Sequence, residues 1–128
     1  MLKHDIVSNG NPLFRHKFTA DPSVLVKGDT LWLFAGEDFE GNQRGYHMEN
    51  WLVFSTTDMK HWTEYPAPLR AADFKWASRN AYAGHVTERN GKYYWYVSTN
   101  TTGIGVAVAD RPEGPYKDAI GKPLLTNK

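Results

Sequence analysis

The chain has no cysteine, which removes a disulfide framework, a thiol nucleophile and a thiolate metal site from its possible chemistry. It also lacks an excess of either charge. Its 15 basic and 14 acidic residues leave a net +1, and the Lys and Arg residues are scattered rather than clustered. A nucleic acid or an anionic membrane as main partner would call for a basic patch, so neither is expected. No apolar run approaches the ~20 residues that span a bilayer as a helix. The opening "MLKHDIVSNG" lacks the apolar segment of a secretory leader. As written the chain reads as cytoplasmic, or as secreted or periplasmic if a leader has been removed. Sustained helical periodicity is missing too. At 128 residues the chain has the size of one ordinary domain or of part of one.

What is present is strand after strand. "SVLVKGDTLWLFAG" places two apolar runs around Gly28-Asp29, which reads as a hairpin with a short turn. "WLVFSTTDMKHWTEY" gives a third run, a turn rich in Ser, Thr and Asp, and a fourth strand carrying Trp62. "AYAGHVTERNGKYYWYVST" repeats the hairpin around Asn90-Gly91, a strong two-residue turn signal. "IGVAVADRPEGPYKDA" then repeats the second half. The two hairpins match at a separation of 62 residues (86 − 24), Val24–Phe34 against Val86–Tyr96, and in the segments that follow them Asp58 answers Asp110. Tandem four-stranded units rich in aromatics are what β-propeller blades look like in sequence. A single eight-stranded β-sandwich fits the same spacing, and the pattern alone does not separate the two.

Two polar connections, "GEDFEGNQRGYHMEN" and "PAPLRAADFKWASRN", read as long loops rather than core strands. Loops of that length in a compact domain are usually functional or disordered. Trp76, in the second, is a costly side chain to leave in solvent without a use.

Asp21 is the first candidate for chemistry. The following Pro22 disfavours the α region and is expected to hold Asp21 extended at the mouth of its strand, though Asp-Pro is also a common way to begin a strand or turn. Glu37 and Asp38 place a pair of acids in one loop region, where neighbouring carboxylates can raise one another's pKa. His4, His16, His47, His61 and His85 show no paired spacing of metal ligands, so no metal and no cofactor are expected. His85 opens the second hairpin at a place comparable to Asp21. Trp32, Trp51, Trp76, Tyr82, Trp95 and Tyr96 can stack on sugar rings, although most are expected to pack between blades. Turn chemistry explains Glu113 in "RPEGPY". Asn100-Thr101-Thr102 is a glycosylation sequon of a kind that arises often by chance.

The segments "NPLFRHKFTADPSVLV", "WLVFSTTDMKHW", "AYAGHVTERNGKYYWYVS" and "GVAVADRPEGPYKDAIGKPL" together resemble the first two blades of glycoside hydrolase family 43. That resemblance covers almost the whole chain. It implies a five-bladed propeller acting on xylosides, arabinofuranosides or arabinan, by inversion, with a base Asp, a pKa-tuning Asp and a general-acid Glu from different blades. The base lies in a "DP" motif near the start, which falls on Asp21. The tuning Asp opens the second blade in "APD", where this chain has "AGH" and His85. The general acid belongs to a later blade than those present here.

The expectation is therefore an all-β, single partial β-propeller domain over 1–128, with blade 1 at about 18–66 and blade 2 at about 80–128. Two blades leave two apolar faces uncovered, so a homo-oligomer is expected to complete the ring. Asp21 is the expected catalytic base. Glu37, Asp38, Trp76 and His85 are the expected contacts to a pentose glycoside, and Glu37, Asp38 or Glu40 could serve a neighbouring copy as acid. Calcium occupies the central channel of some family members, but the residues that would hold it lie in later blades. A carbohydrate-binding module that lost the acid, or an oligomeric scaffold with another hydrolytic activity, are the competing expectations.

Overall fold

The computed structural model describes residues 3–41, 48–77, 80–99 and 103–126. Its strands in chain order are β1 (His4–Val7), β2 (Phe18–Lys27), β3 (Thr30–Asp38), β4 (Met48–Thr56), β5 (His61–Glu64), β6 (Leu69–Arg70), β7 (Ala81–Arg89), β8 (Lys92–Thr99), β9 (Gly103–Ala109), β10 (Lys117–Asp118) and β11 (Leu125–Thr126). They form two antiparallel sheets. The first runs β1-β5-β4-β3-β2 with β6 added beside β4, and the second runs β10-β9-β8-β7 with β11 beside β9. Each sheet therefore contains the expected four-stranded meander, β2 to β5 and β7 to β10, plus short additions at its outer side.

The two hairpin turns follow from local chemistry. Gly28 at φ +62° takes the first position of a two-residue turn, and Asn90 at φ +53° with Gly91 at φ +76° forms the second. Both turns supply the positive φ that matches the twist of the flanking strands. They lock the 62-residue repeat in register: Lys27 pairs Thr30 in one blade and Arg89 pairs Lys92 in the other.

Neither of the two polar segments is a simple loop. β3 continues to Asp38 and β4 begins at Met48, with Gly36 paired to Trp51 and Glu37 to Asn50. Strand pairing uses the backbone, so polar side chains on the open side do not prevent it. Residues 42–47, including His47, lie outside the described residues, as does the sequon at 100–102. The segment from Pro66 to Asn80 forms β6 and a 3₁₀ turn at Ala71–Asp73, in which the Asp73 carboxylate accepts from the Arg70 backbone N–H at 2.9 Å. It buries Leu69, Ala71, Phe74 and Ala77 in the core between the sheets. A few apolar residues at the right positions outweigh the polar average of the segment.

That core is shared by both blades. Phe34, Trp51 and Val53 from the first meet Val86, Trp95, Val97, Ala107 and Tyr116 from the second. The Trp95 ring lies edge-on to Phe34 at 5.2 Å and to Tyr116 at 5.1 Å. Fully burying side chains of this size is worth about 1.5–3 kcal/mol each, so the two sheets hold together as one unit. On the opposite face of blade 1, Phe14 stacks on Phe54 at 4.0 Å and meets Trp62, closing a second cluster under the segment that leads into β2. Val24 and Val26 share this face, because they pair with Leu33 and Leu31. They remain 52% and 65% exposed, as does much of Ile120, Leu124 and Leu125 at the far side of blade 2.

Candidate active site

Asp21 sits within β2 at a break in register between Ala20 and Ser23. Its φ is +51°, so it is not held extended as the following proline led us to expect. A β-bulge places the residue in the left-handed region, which Asp tolerates better than most side chains. Non-glycine residues held there cost of order 1–3 kcal/mol and cluster at functional sites. The Asp21 side chain is exposed. Two residues on, the Ser23 hydroxyl is buried without a hydrogen-bond partner among the described residues.

β7 carries the matching bulge, between Ala81 and Gly84. By the pairing of the two hairpins, Ser23–Phe34 corresponds to His85–Tyr96. His85 is thus the counterpart of Ser23, and Ala83 the counterpart of Asp21 (21 + 62). The comparable placement expected for His85 is therefore off by two residues. His85 is exposed on the strand that runs beside β2. Gly84 before it is required by packing, since a Cβ there would lie 2.8 Å from Trp95 Nε1 and 2.9 Å from the Tyr96 carbonyl.

Glu37 and Asp38 stand across the hairpin from Thr19 and Phe18, at the same end of blade 1 as the Asp21 bulge. Together with Lys17, Phe39, Glu40 and Asn50 they line a cavity of about 300 Å³. Glu37 is oriented from both sides: Asn50 Nδ2 donates to Oε1 at 3.1 Å and Lys17 Nζ lies 3.3 Å from Oε2. Lys17 also donates to Glu64 Oε2 at 2.6 Å. Burial opposes the Lys17 charge, but its bonds to Glu64 and Glu37 outweigh that and raise its pKa. Sequence reasoning missed Lys17 and Asn50, because nothing in their spacing reveals a contact made across strands.

Trp76 has a structural use. Its ring covers Gly105 of β9, where a Cβ would come within 2.7 Å of Cζ2. Its indole N–H donates to Asp118 Oδ2 at 3.0 Å, and it packs on Phe74 at 5.2 Å. Asp58 and Asp110, equivalent in sequence, also differ. Asp58 caps its turn by accepting from the backbone N–H groups of Lys60 and His61, whereas Asp110 pairs with Lys92 at 2.6 Å.

The sequence pattern of glycosyl hydrolases family 43 matches residues 10–128. This chain belongs to that family. It is 34% identical to an arabinoxylan arabinofuranohydrolase of Bacillus subtilis (strain 168), over 98% of this chain and 28% of the relative. An arabinoxylan arabinofuranohydrolase of Paenibacillus polymyxa is 36% identical, over 95% of this chain and 22% of the relative. Among solved structures, a family 43 β-xylosidase/α-arabinofuranosidase from a compost microbial metagenome, in complex with xylotriose, superposes with a TM-score of 0.82 at 28% identity. That match covers 94% of this chain and 39% of the other. The α-L-arabinofuranosidase of Clostridium thermocellum gives a TM-score of 0.73 at 36% identity, over 90% of this chain and 39% of the other. The family 43 chain described here thus spans about a quarter of the curated relatives' length, and it corresponds to two adjacent blades of their β-propeller.

Proposed function

We propose that this chain supplies the base-bearing part of an inverting glycosidase that acts on arabinofuranosyl or xylosyl groups. The observation that carries the reading is Asp21, an exposed carboxylate that a bulge holds in a left-handed conformation on the strand where the first blade meets the second. Family membership, and the pentosidase names of the similar proteins, support the choice of substrate.

In this reading Asp21 removes a proton from the water that attacks the anomeric carbon, on the face opposite the leaving oxygen. An inverting pair keeps its carboxyl groups about 6.5–9.5 Å apart to admit that water. The acid that protonates the leaving oxygen comes from a blade beyond these two, in the same polypeptide or in another copy. Glu37, fixed by Asn50 and Lys17, and Asp38 beside it accept hydrogen bonds from sugar hydroxyls at the rim. His85 lines the opposite side from blade 2. Trp76 is left out of the sugar site, since its ring and its N–H are both used inside blade 2.

Residues 18–66 and 80–128 act as one part-propeller unit through their common core. The apolar face of Val24, Val26, Leu31 and Leu33 receives a further blade, and a homo-oligomer is one way to provide it. Light scattering behind a sizing column should show a mass above one chain when this polypeptide is prepared alone; a well-behaved monomer removes the homo-oligomer.

The reaction class is tested by following hydrolysis of an arabino- or xylo-oligosaccharide by proton NMR. The first-formed sugar should have the inverted anomeric configuration, and first-formed retained product would overturn the mechanism. Saturable sugar binding with no hydrolysis by the completed propeller would leave a binding module instead.

A further inference from the structure

His4, His16 and Glu64 are far apart in sequence and together in space. His4 on β1 pairs directly across from Glu64 on β5, and His16 arrives from the segment leading into β2. His16 Nε2 lies 2.5 Å from Glu64 Oε1, His4 Nδ1 lies 3.9 Å from the same oxygen, and all three ligand atoms fall within 4.8 Å of one another. The two imidazole rings meet edge to face, with centroids 5.3 Å apart.

We propose that these three side chains form a site for a divalent transition-metal ion of the zinc class, which ties the N-terminal strand and its following segment to the outer edge of blade 1. Two imidazoles and one carboxylate are a nitrogen-rich donor set of the kind that zinc, nickel and copper prefer. Calcium takes 6–8 oxygen ligands, so this set does not suit it.

The local arrangement favours insertion of an ion. Glu64 has a side chain only 9% exposed, and Lys17 holds its other oxygen at 2.6 Å, which fixes Oε1 toward the two rings. That is the outer contact that orients a ligating carboxylate. At metal–ligand distances near 2.0–2.1 Å, neighbouring ligand atoms of a tetrahedral set lie about 3.3 Å apart. His16 must therefore withdraw from its direct bond to Oε1 by under ~1 Å and His4 must approach by a similar amount. Both can do so, because their side chains are 28% and 61% exposed. A cavity of about 250 Å³ lined by His4, Asp5, Pro12, Leu13, Arg15 and His16 leaves room for a water as fourth ligand. Arg15 is the one cation on that wall and is exposed, so solvent screens it.

The test is isothermal titration of zinc chloride into tag-free, chelator-treated protein, alongside cobalt(II) absorption spectra. One equivalent should bind, with the visible bands of a low-coordinate cobalt site and a zinc-dependent rise in Tm. His4→Ala, at an exposed position that does not endanger folding, should weaken binding by about 10²-fold or more, and His16→Ala should do the same, exceeding the 10–100-fold typical of losing an outer-shell partner. His61→Ala should leave it unchanged, as His61 bonds Asp58 instead. Absence of one-equivalent uptake, or uptake that survives both His4→Ala and His16→Ala, overturns the proposal.

Discussion

Trp51 of β4 donates its indole N–H to the backbone carbonyl of Tyr82 on β7, 2.8 Å away. The bond crosses from one blade to the other beside the second bulge, with Trp51 itself 1% exposed. It therefore joins the packing of the core to the backbone that sets the inner strand of blade 2. Trp51→Phe keeps an aromatic ring but removes that part-buried hydrogen bond. A loss of about 0.5–1.5 kcal/mol is expected. It should be read as a lower denaturant midpoint with the slope unchanged.

Glu64 provides a pH-dependent prediction. Burial alone would raise its pKa, but the bonds from Lys17 and His16 outweigh it and hold the carboxyl below its ordinary 4.5. A depressed folded-state pKa means stability that is present above 4.5 and lost as pH falls through the folded value. In metal-free protein, wild type should exceed Glu64→Gln in stability at pH 7, and the gap should narrow as pH drops below 4.5. Lys17→Met, which leaves the buried carboxylate with one partner fewer, should cost about 1–3 kcal/mol at pH 7. Denaturant melts from pH 7 to pH 3 check both.

Tyr116 behaves in the opposite sense. Burial, then the nearby Glu113 carboxylate, push its phenol well above the ordinary 10.0, and its hydroxyl donates to the Pro112 carbonyl at 2.8 Å. The unfolded chain ionises first, so stability is present below pH 10 and is lost as pH rises toward the folded value. Absorbance at 295 nm should show one of the 7 tyrosines ionising only as the protein unfolds. Tyr116→Phe should remove that part of the alkaline dependence.

The contact between Trp76 and Gly105 separates a packing role from a sugar platform. Gly105→Ala places a methyl group against the indole and should destabilise by about 1–3 kcal/mol. Combined with Trp76→Leu, which frees the space, the two effects should fall short of their sum, as expected for residues in contact. Sugar affinity should follow stability and show no separate loss in Trp76→Leu. Selective loss of sugar binding in a stably folded Trp76→Leu would return the ring to the substrate site.

What the sequence revealed was what local chemistry decides. Gly28-Asp29 and Asn90-Gly91 marked their turns because positive φ is written in those residue types, and the alternating runs beside them placed β2, β3, β7 and β8. The repeat at 62 residues then implied equivalent blades. Leu69 and Phe74 were hidden because the segment that carries them is polar on average, while their burial depends on where two sheets meet. The conformation of Asp21 was misread, since Pro22 reports only a local preference and the bulge against β3 overrides it. His85 stands two residues from the counterpart of Asp21, because the 62-residue repeat pairs it with Ser23 (85 − 62) and the strand pairing keeps that register. The cluster of His4, His16 and Glu64 depends on β1 returning to the outer edge of the sheet, and 48 residues separate His16 from Glu64.

The most direct test of Asp21 as the base is a comparison of wild type with Asp21→Asn, in protein whose propeller is complete, on aryl α-L-arabinofuranoside and aryl β-D-xyloside. Asn is close to isosteric and accepts no proton, so kcat should fall by about 10²–10⁴-fold, with KM and melting temperature little changed. Undiminished turnover by Asp21→Asn on the substrate that wild type cleaves would contradict the account.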